Sequence, residues 1–289
     1  ELMKDIPNGS IDMILCDLPY GTTQNKWDII LPLDKLWAEY ERIITYNGAI
    51  VLFAQTPFDK VLGASKIDLL KYEYVWNKKR PTGHLNSKFA PMKQHENILV
   101  FSKASASFVK DKSKAMCFNP QFRKGKPYTC KNGRASSNYD EKNYEQVITV
   151  NDGNYYPISI LEFAPETGLH PTQKPIELGR YLIKTYTKPG DIVLDNACGS
   201  GSFLLSAILE NRQFIGIEKN EDVLLHKVHP VDYIKICTER IRETLKSKEV
   251  EDSTLFLFKE PIAKYHTINY ETKRKSLGRT NHKLDKAIH

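Results

Sequence analysis

Two short stretches combine residue types that can do chemistry. The first, Asp17-Leu18-Pro19-Tyr20-Gly21, brings a carboxylate, a proline carbonyl and an aromatic ring together within one turn. A carboxylate and a backbone carbonyl can jointly accept both N–H bonds of an amino group conjugated to a ring. That draws electron density onto a poor nucleophile and stabilises the positive charge that develops as it attacks. Asp17 and the Pro19 carbonyl suit these roles. Proline also fixes the local backbone, and Tyr20 offers a ring on which an extruded base can stack. Taken alone, the tetrapeptide reads equally well as an Asp-Pro turn with a packed tyrosine.

The second stretch is LDNACGSGSFLL, in which a strand, a Gly199-Ser200-Gly201 turn and a helix follow in direct succession. Such a turn lets backbone approach a nucleotide closely at the carboxyl end of a strand. A GxG without further context is weak, because a tight turn with no ligand uses the same residues. The dinucleotide pattern GxGxxG would need a third glycine where Leu204 stands, which disfavours NAD. Glu218, at the end of the strand FIGIE, has the spacing of an acid that holds an adenosine ribose.

The elements that must position these turns alternate between strand and helix. IDMILC (11–16) reads as a buried strand, and Leu33, Leu36, Trp37, Tyr40, Ile43 and Ile44 follow at helical spacing, with Asn47-Gly48 as a stop. Strands are expected at 49–54, 72–76 and 96–101. Periodicity fails between about 103 and 165, then returns with a helix over 176–187, a strand at 191–195, a helix over 202–211, a strand at 214–218 and a helix near 233–247. This divides the chain into a first core segment (1–102), an insertion (103–165), a second core segment (166–249) and a basic tail (250–289). HKVHPVD (226–232) interrupts the helical pattern after FIGIE.

No apolar run reaches the roughly 18 residues that a membrane span requires. The first residues show no signal-peptide pattern and do not begin with an initiator Met, so a short truncation is expected there. Cys16, Cys117, Cys130, Cys198 and Cys237 form no CxxC pair, which disfavours a zinc site or a disulfide framework and fits a cytoplasmic protein. The net charge is +7, and between Lys103 and Arg134 nine Lys/Arg face one acid, Asp111, which suggests a polyanion-binding surface.

DLPYG (17–21), HPTQKP (170–175), LDNACGSGSF (194–203) and FIGIE (214–218) together resemble the S-adenosylmethionine-dependent DNA amino-methyltransferases of restriction-modification and phage systems. The order, with the catalytic turn first, resembles their β class. The resemblance implies a Rossmann-like α/β methyltransferase fold with an inserted target-recognition region. It also implies methyl transfer from S-adenosylmethionine to the 6-amino group of a flipped adenine in double-stranded DNA, without a metal. Asp17, Pro19 and Tyr20 are then catalytic. Asp17, His170, Thr172, Lys174, Pro175, Asp195, Cys198, Gly199, Ser200, Gly201 and Glu218 match the family's cofactor-binding positions. Lys78, Lys79, Arg80, Arg123, Lys124, Lys126, Lys131 and Arg134 are the expected DNA contacts. His95 and Glu96 read as structural. A homodimer and a partner endonuclease are both compatible with the resemblance. The alternatives are the 4-amino group of cytosine, methylation of RNA or a protein glutamine, and an idle DNA-binding protein. A cytosine-5 enzyme would need a nucleophilic Pro-Cys pair, which neither Cys16 nor Cys198 provides.

Overall fold

The computed structural model describes residues 2–21, 30–131, 148–166, 173–219, 223–225, 229–248, 254–259 and 266–269. Residues 120–158 form a compact unit of their own, and the remaining described residues form a larger one. In the larger unit the apolar run IDMILC forms strand β1 (Ile11–Cys16), followed by β2 (Ile44–Ala54), β3 (Leu70–Thr82), β4 (Lys93–Phe101) and β5 (Ile160–Glu162). The later strands are β6 (Ile192–Asp195), β7 (Gln213–Glu218), β8 (Thr254–Lys259) and β9 (His266–Asn269). They form one sheet in the order β9-β8-β7-β6-β1-β2-β4-β3-β5. The centre is parallel from β2 through β8, while β4 is antiparallel to both β2 and β3. This is the α/β architecture expected for a Rossmann-like methyltransferase.

Both faces of the central strands are covered, which is why these strands are apolar runs rather than alternating ones. On one face Met13, Leu15, Val51 and Phe53 pack with α3 (Ile176–Tyr186), α4 (Ser202–Leu209) and α5 (Tyr233–Lys248). On the other, Ile14, Cys16, Ile50 and Leu52 pack with α1 (Leu33–Ile43) and α2 (Phe58–Ser65). The polar Asp12 inside β1 accepts a bond from the Ile192 amide at 2.9 Å and so aligns the start of β6.

Several boundaries differ from the sequence reading. Asn47-Gly48 does not stop α1. The helix ends at Ile43, and β2 begins at once, with a bulge between the pairs Ile11–Ile44 and Met13–Ala49. Gly48 is needed there because a Cβ would lie 2.7 Å from the Asp12 carbonyl. Residues 103–119 belong to the larger unit, so the separate unit is shorter than the 103–165 stretch. Lys103 caps α1 instead of facing solvent, donating to the Glu41 carbonyl at 2.5 Å. Of HKVHPVD, residues 226–228 lie outside the described residues, while His229–Val231 pair antiparallel with Val223–Leu225 before α5 starts. Part of the expected basic tail supplies β8 and β9.

Among the described residues of the smaller unit there are two antiparallel pairings, Arg123–Lys124 with Asn154–Tyr155 and Tyr128–Lys131 with Ile148–Asn151. Among the described residues no helix is long and apolar enough to cross a membrane.

Candidate active site

The pairing registers bring every chemical turn of the larger unit to one sheet edge. Leu194 lies beside Ile14, Gly216 beside Asp195, and Leu52 beside Cys16, so Asp17, just past β1, and Asp195 and Glu218, the last residues of β6 and β7, share the carboxyl edge of the parallel strands. Because β4 runs antiparallel, with Asn97 opposite Ala54, its beginning reaches the same edge, as does the end of β3. By the same logic, Phe101 and the basic residues 103–114 after it lie at the opposite edge.

Asp17 is held from two sides. Its Oδ1 accepts the Tyr20 hydroxyl at 2.5 Å, and its Oδ2 forms an ion pair with Lys174. Lys174 is buried, lies 3.4 Å from Glu96, and has its ammonium 5.2 Å from the Phe53 ring centre. Glu96 pairs in turn with Lys78. The five side chains Tyr20, Asp17, Lys174, Glu96 and Lys78 thus form one continuous polar chain.

Burial pushes the Asp17 carboxyl above its ordinary range; Lys174 opposes this and Glu96 adds to it. Burial opposes the charge on Lys174 too, but Asp17 and Glu96 outweigh it and hold the ammonium above its usual range. For Glu96, burial is overcome by Lys174 and Lys78, so its carboxyl stays below the ordinary value. Glu96 and Lys174 are therefore charged at neutral pH. The Tyr20 ring stacks on Phe58 at 5.5 Å. The sequence assigned it a stacking role; its hydroxyl also orients Asp17.

The glycine turn is held from β7 and α5. The Gly199 amide donates to Glu218 Oε2 at 2.7 Å, and the Ser200 carbonyl accepts from Arg240 of α5 at 2.5 Å. Gly199 and Gly201 have φ of 47° and 84°, and a Cβ on Gly201 would meet the Cys237 sulfur at 2.4 Å. The Cys198 thiol is held protonated, first by its hydrogen bond with Cys237 and then by burial, as a small core residue would be. Asp195 is buried, accepts the Ala197 amide at 3.2 Å, and has its carboxyl pushed up to about 8, chiefly by burial, with Glu218 and Asp17 adding to the effect. Tyr40 of α1 donates to Asn196 at 2.5 Å and ties this loop to the other face of the sheet.

Lys174 reaches the site from the segment just before helix α3. Pro175 caps it, and the Ile176 amide donates to Glu166 at 2.9 Å. Gly179 permits close packing on α4, where a Cβ would lie 2.4 Å from the Ser206 hydroxyl. His170, Thr172 and Arg134 lie outside the described residues. Lys78, expected on DNA, is engaged by Glu96 and lies over Trp76, while Lys79 pairs with Glu162 at 3.3 Å. Arg80 is exposed, as are Arg123, Lys124, Lys126 and Lys131 of the smaller unit. His95 is exposed, and Glu96, read as structural, touches the site through Lys174. Sequence spacing carried no signal for the Glu96–Lys174 pair or for Arg240.

Residues 11–226 match the N6/N4 methyltransferase family model, described as DNA methylase. The chain is 28% identical over 243 residues to the DNA adenine methyltransferase YhdJ of Escherichia coli, covering 77% of this chain and 76% of that protein. It is 26% identical over 257 residues to the type II methyltransferase M.HpaI of Haemophilus parainfluenzae, covering 83% of this chain and 71% of the relative. In fold it is similar to the PvuII cytosine-N4-specific DNA methyltransferase, with TM-score 0.54 and 14% identity, covering 88% of this chain and 91% of the other. It is also similar to M1.HpyAVI bound to S-adenosylmethionine, with TM-score 0.50 and 22% identity, covering 83% and 91%. With all four of its motif blocks inside a family match that spans well over half its length, this chain belongs to the N6/N4 DNA methylase family.

Proposed function

We propose that the protein transfers a methyl group from S-adenosylmethionine to the 6-amino group of adenine in double-stranded DNA. The observation that carries the reading is Asp17, clamped by Tyr20 and Lys174 at the sheet edge that also holds the glycine turn and Glu218. Adenine rather than cytosine is supported by the relative named a DNA adenine methyltransferase.

The residues fit the cofactor. Positive φ at Gly199 and Gly201 keeps side chains out of the turn, and the Ser202 hydroxyl beside it is buried without a hydrogen-bond partner. An acid at Glu218 suits ribose hydroxyls and a cofactor bearing ammonium and sulfonium charges better than it suits a pyrophosphate. Asp195, Cys198, Gly199, Ser200, Gly201 and Glu218 would hold S-adenosylmethionine, which supplies the methyl group when bound.

This chain's own residues then position and polarise the base. Asp17 and the Pro19 carbonyl accept the amino N–H bonds, and the Tyr20 ring lies against the base plane. Lys174 and the Tyr20 hydroxyl prevent Asp17 from rotating away. Positioning and electrostatics carry most of the acceleration. The exposed Arg123, Lys124, Lys126 and Lys131, with the exposed rings of Phe122, Tyr128 and Tyr156, support a DNA-recognition role for the smaller unit.

The test is transfer of labelled methyl from S-adenosylmethionine to unmethylated plasmid DNA, followed by digestion and nucleoside chromatography. Label in N6-methyladenine is the expected result. Label in N4-methylcytosine would overturn the choice of base, and no transfer to DNA would overturn the activity.

A further inference from the structure

The hairpin joining β3 to β4 leaves the active edge directly. Trp76 pairs with Glu96 and Asn77 with His95, so the ladder starts beside the Lys174–Asp17 pair before the two chains part. From residue 77 to 95 there are five Lys/Arg (Lys78, Lys79, Arg80, Lys88, Lys93) and no Asp or Glu. The tip is not shapeless. Gly83, with φ of 86°, starts a single 3-10 turn at His84–Asn86, and the amides of Phe89 and Ala90 both donate to the Asn86 carbonyl at 2.9 and 3.0 Å.

This ordered, acid-free tip presents three large apolar side chains to solvent, Met92 partly and two others almost wholly. Leu85 is 83% exposed and Phe89 is 88% exposed, four residues apart in sequence. Single exposed apolar residues are ordinary on protein surfaces. A pair on a cationic projection at the reacting edge is different, because positive charge draws a polyanion to the place where the apolar groups stand. Phe108 is still more exposed, but it follows β4 at the opposite sheet edge, with Asp111 close by in sequence.

We propose that residues 83–92 form a wedge that enters duplex DNA beside the target nucleotide, with Leu85 and Phe89 filling the stack that the extruded base vacates. The flanking Arg80, Lys88 and Lys93 hold the backbone phosphates on either side. Inserted apolar side chains of this kind unstack base steps and lower the cost of extrusion. The proposal rests on the activity proposed above, and it adds a device that extracts the base to the residues that act on it.

The experiment uses the full chain with Leu85→Ser and Phe89→Ser together. Both side chains are solvent-exposed, so the variant should fold, and its melting curve checks this. The substrate is a duplex oligonucleotide carrying the site at which wild type methylates plasmid DNA, prepared with a matched or a mismatched target base pair. Single-turnover methylation of the matched duplex should fall by at least about tenfold. On the mismatched duplex, where the base is already loosened, the rate should return to within about threefold of wild type. An equal loss on both duplexes, or a matched rate within about twofold of wild type, would overturn the wedge. So would a variant whose loss coincides with dissociation of a wild-type dimer in light scattering, since the tip would then be a contact between copies. If wild type methylates no DNA at all, it is the parent activity that fails, and that result is visible before any variant is made.

Discussion

Lys174, 157 positions along the chain from Asp17, forms an ion pair with its Oδ2 while lying 3.4 Å from Glu96. One ammonium thus joins the start of α3 to the turn after β1 and to the start of β4. A buried cation between two carboxylates is stable only because both partners are present; removing either leaves an uncompensated charge. The position that resembles part of a cofactor segment in the sequence is, in the fold, the clamp on the proposed catalytic carboxylate.

Removing that clamp should shift the pH profile of the reaction. Asp17 must be ionised to accept the amino N–H bonds, and Lys174 opposes the upward push of burial on its carboxyl. Lys174→Met should therefore move the acid limb of single-turnover methylation to higher pH and lower the plateau by about tenfold or more. Lys174→Arg should keep the limb near its wild-type position. A rate loss in Lys174→Met with an unmoved acid limb would show that Lys174 does not act through Asp17.

Asp17→Ala should reduce turnover by at least about a hundredfold while DNA affinity largely survives, because the lost interaction belongs mainly to the transition state. Filter binding and single-turnover rates on the same oligonucleotide separate the two quantities.

Tyr20 has two functions in one side chain, a ring stacked on Phe58 and a hydroxyl bonded to Asp17. Tyr20→Phe keeps the ring and loses the hydroxyl, so its rate should fall between those of wild type and Tyr20→Ala. With 2-aminopurine at the target position, only Tyr20→Ala should show weakened capture of the extruded base. Equal damage in both variants would assign the whole effect to the hydroxyl.

Asp195 supplies a stability prediction. Its carboxyl is raised from 3.8 to about 8 in the folded chain, chiefly by burial, so the folded state retains a proton that the unfolded state has lost. The stability associated with the protonated group is complete below the unfolded value and declines as pH rises from 3.8 through about 8. In the absence of cofactor, Asp195→Asn should have a melting temperature that gains on wild type as pH rises across this window. Parallel melting curves from pH 5 to about 8 would remove the shift.

Neutralising Arg123, Lys124 and Lys126 should weaken DNA binding and flatten its salt dependence, each lost phosphate contact lowering the logarithmic slope by about 0.9. Cofactor affinity measured by calorimetry should stay unchanged. An unaltered slope would place the phosphate contacts elsewhere, and the Arg80, Lys88 and Lys93 group is then the next surface to neutralise.

What the sequence determined by itself is local. Apolar runs such as IDMILC and the period of Leu36, Trp37, Tyr40 and Ile43 settled where strands and helices form, because backbone periodicity decides which side chains share a face. Turn chemistry placed Asp17 and Gly199 after strands, and strands of one parallel sheet end at one edge, so their convergence was legible without coordinates. Tertiary structure decided what depends on pairing between distant segments. Antiparallel pairing of β4 brought Glu96 and Lys78 to the active edge and sent residues 103–114 to the opposite one, though Lys78 and residues 103–114 read alike as basic surface in one dimension. Docking of α3 on α4 through Gly179 set Lys174 against Asp17. No spacing rule encodes these contacts, because charge and polarity along a chain describe what a residue can pair with, and only the register of the sheet and the packing of the helices select which partner it meets.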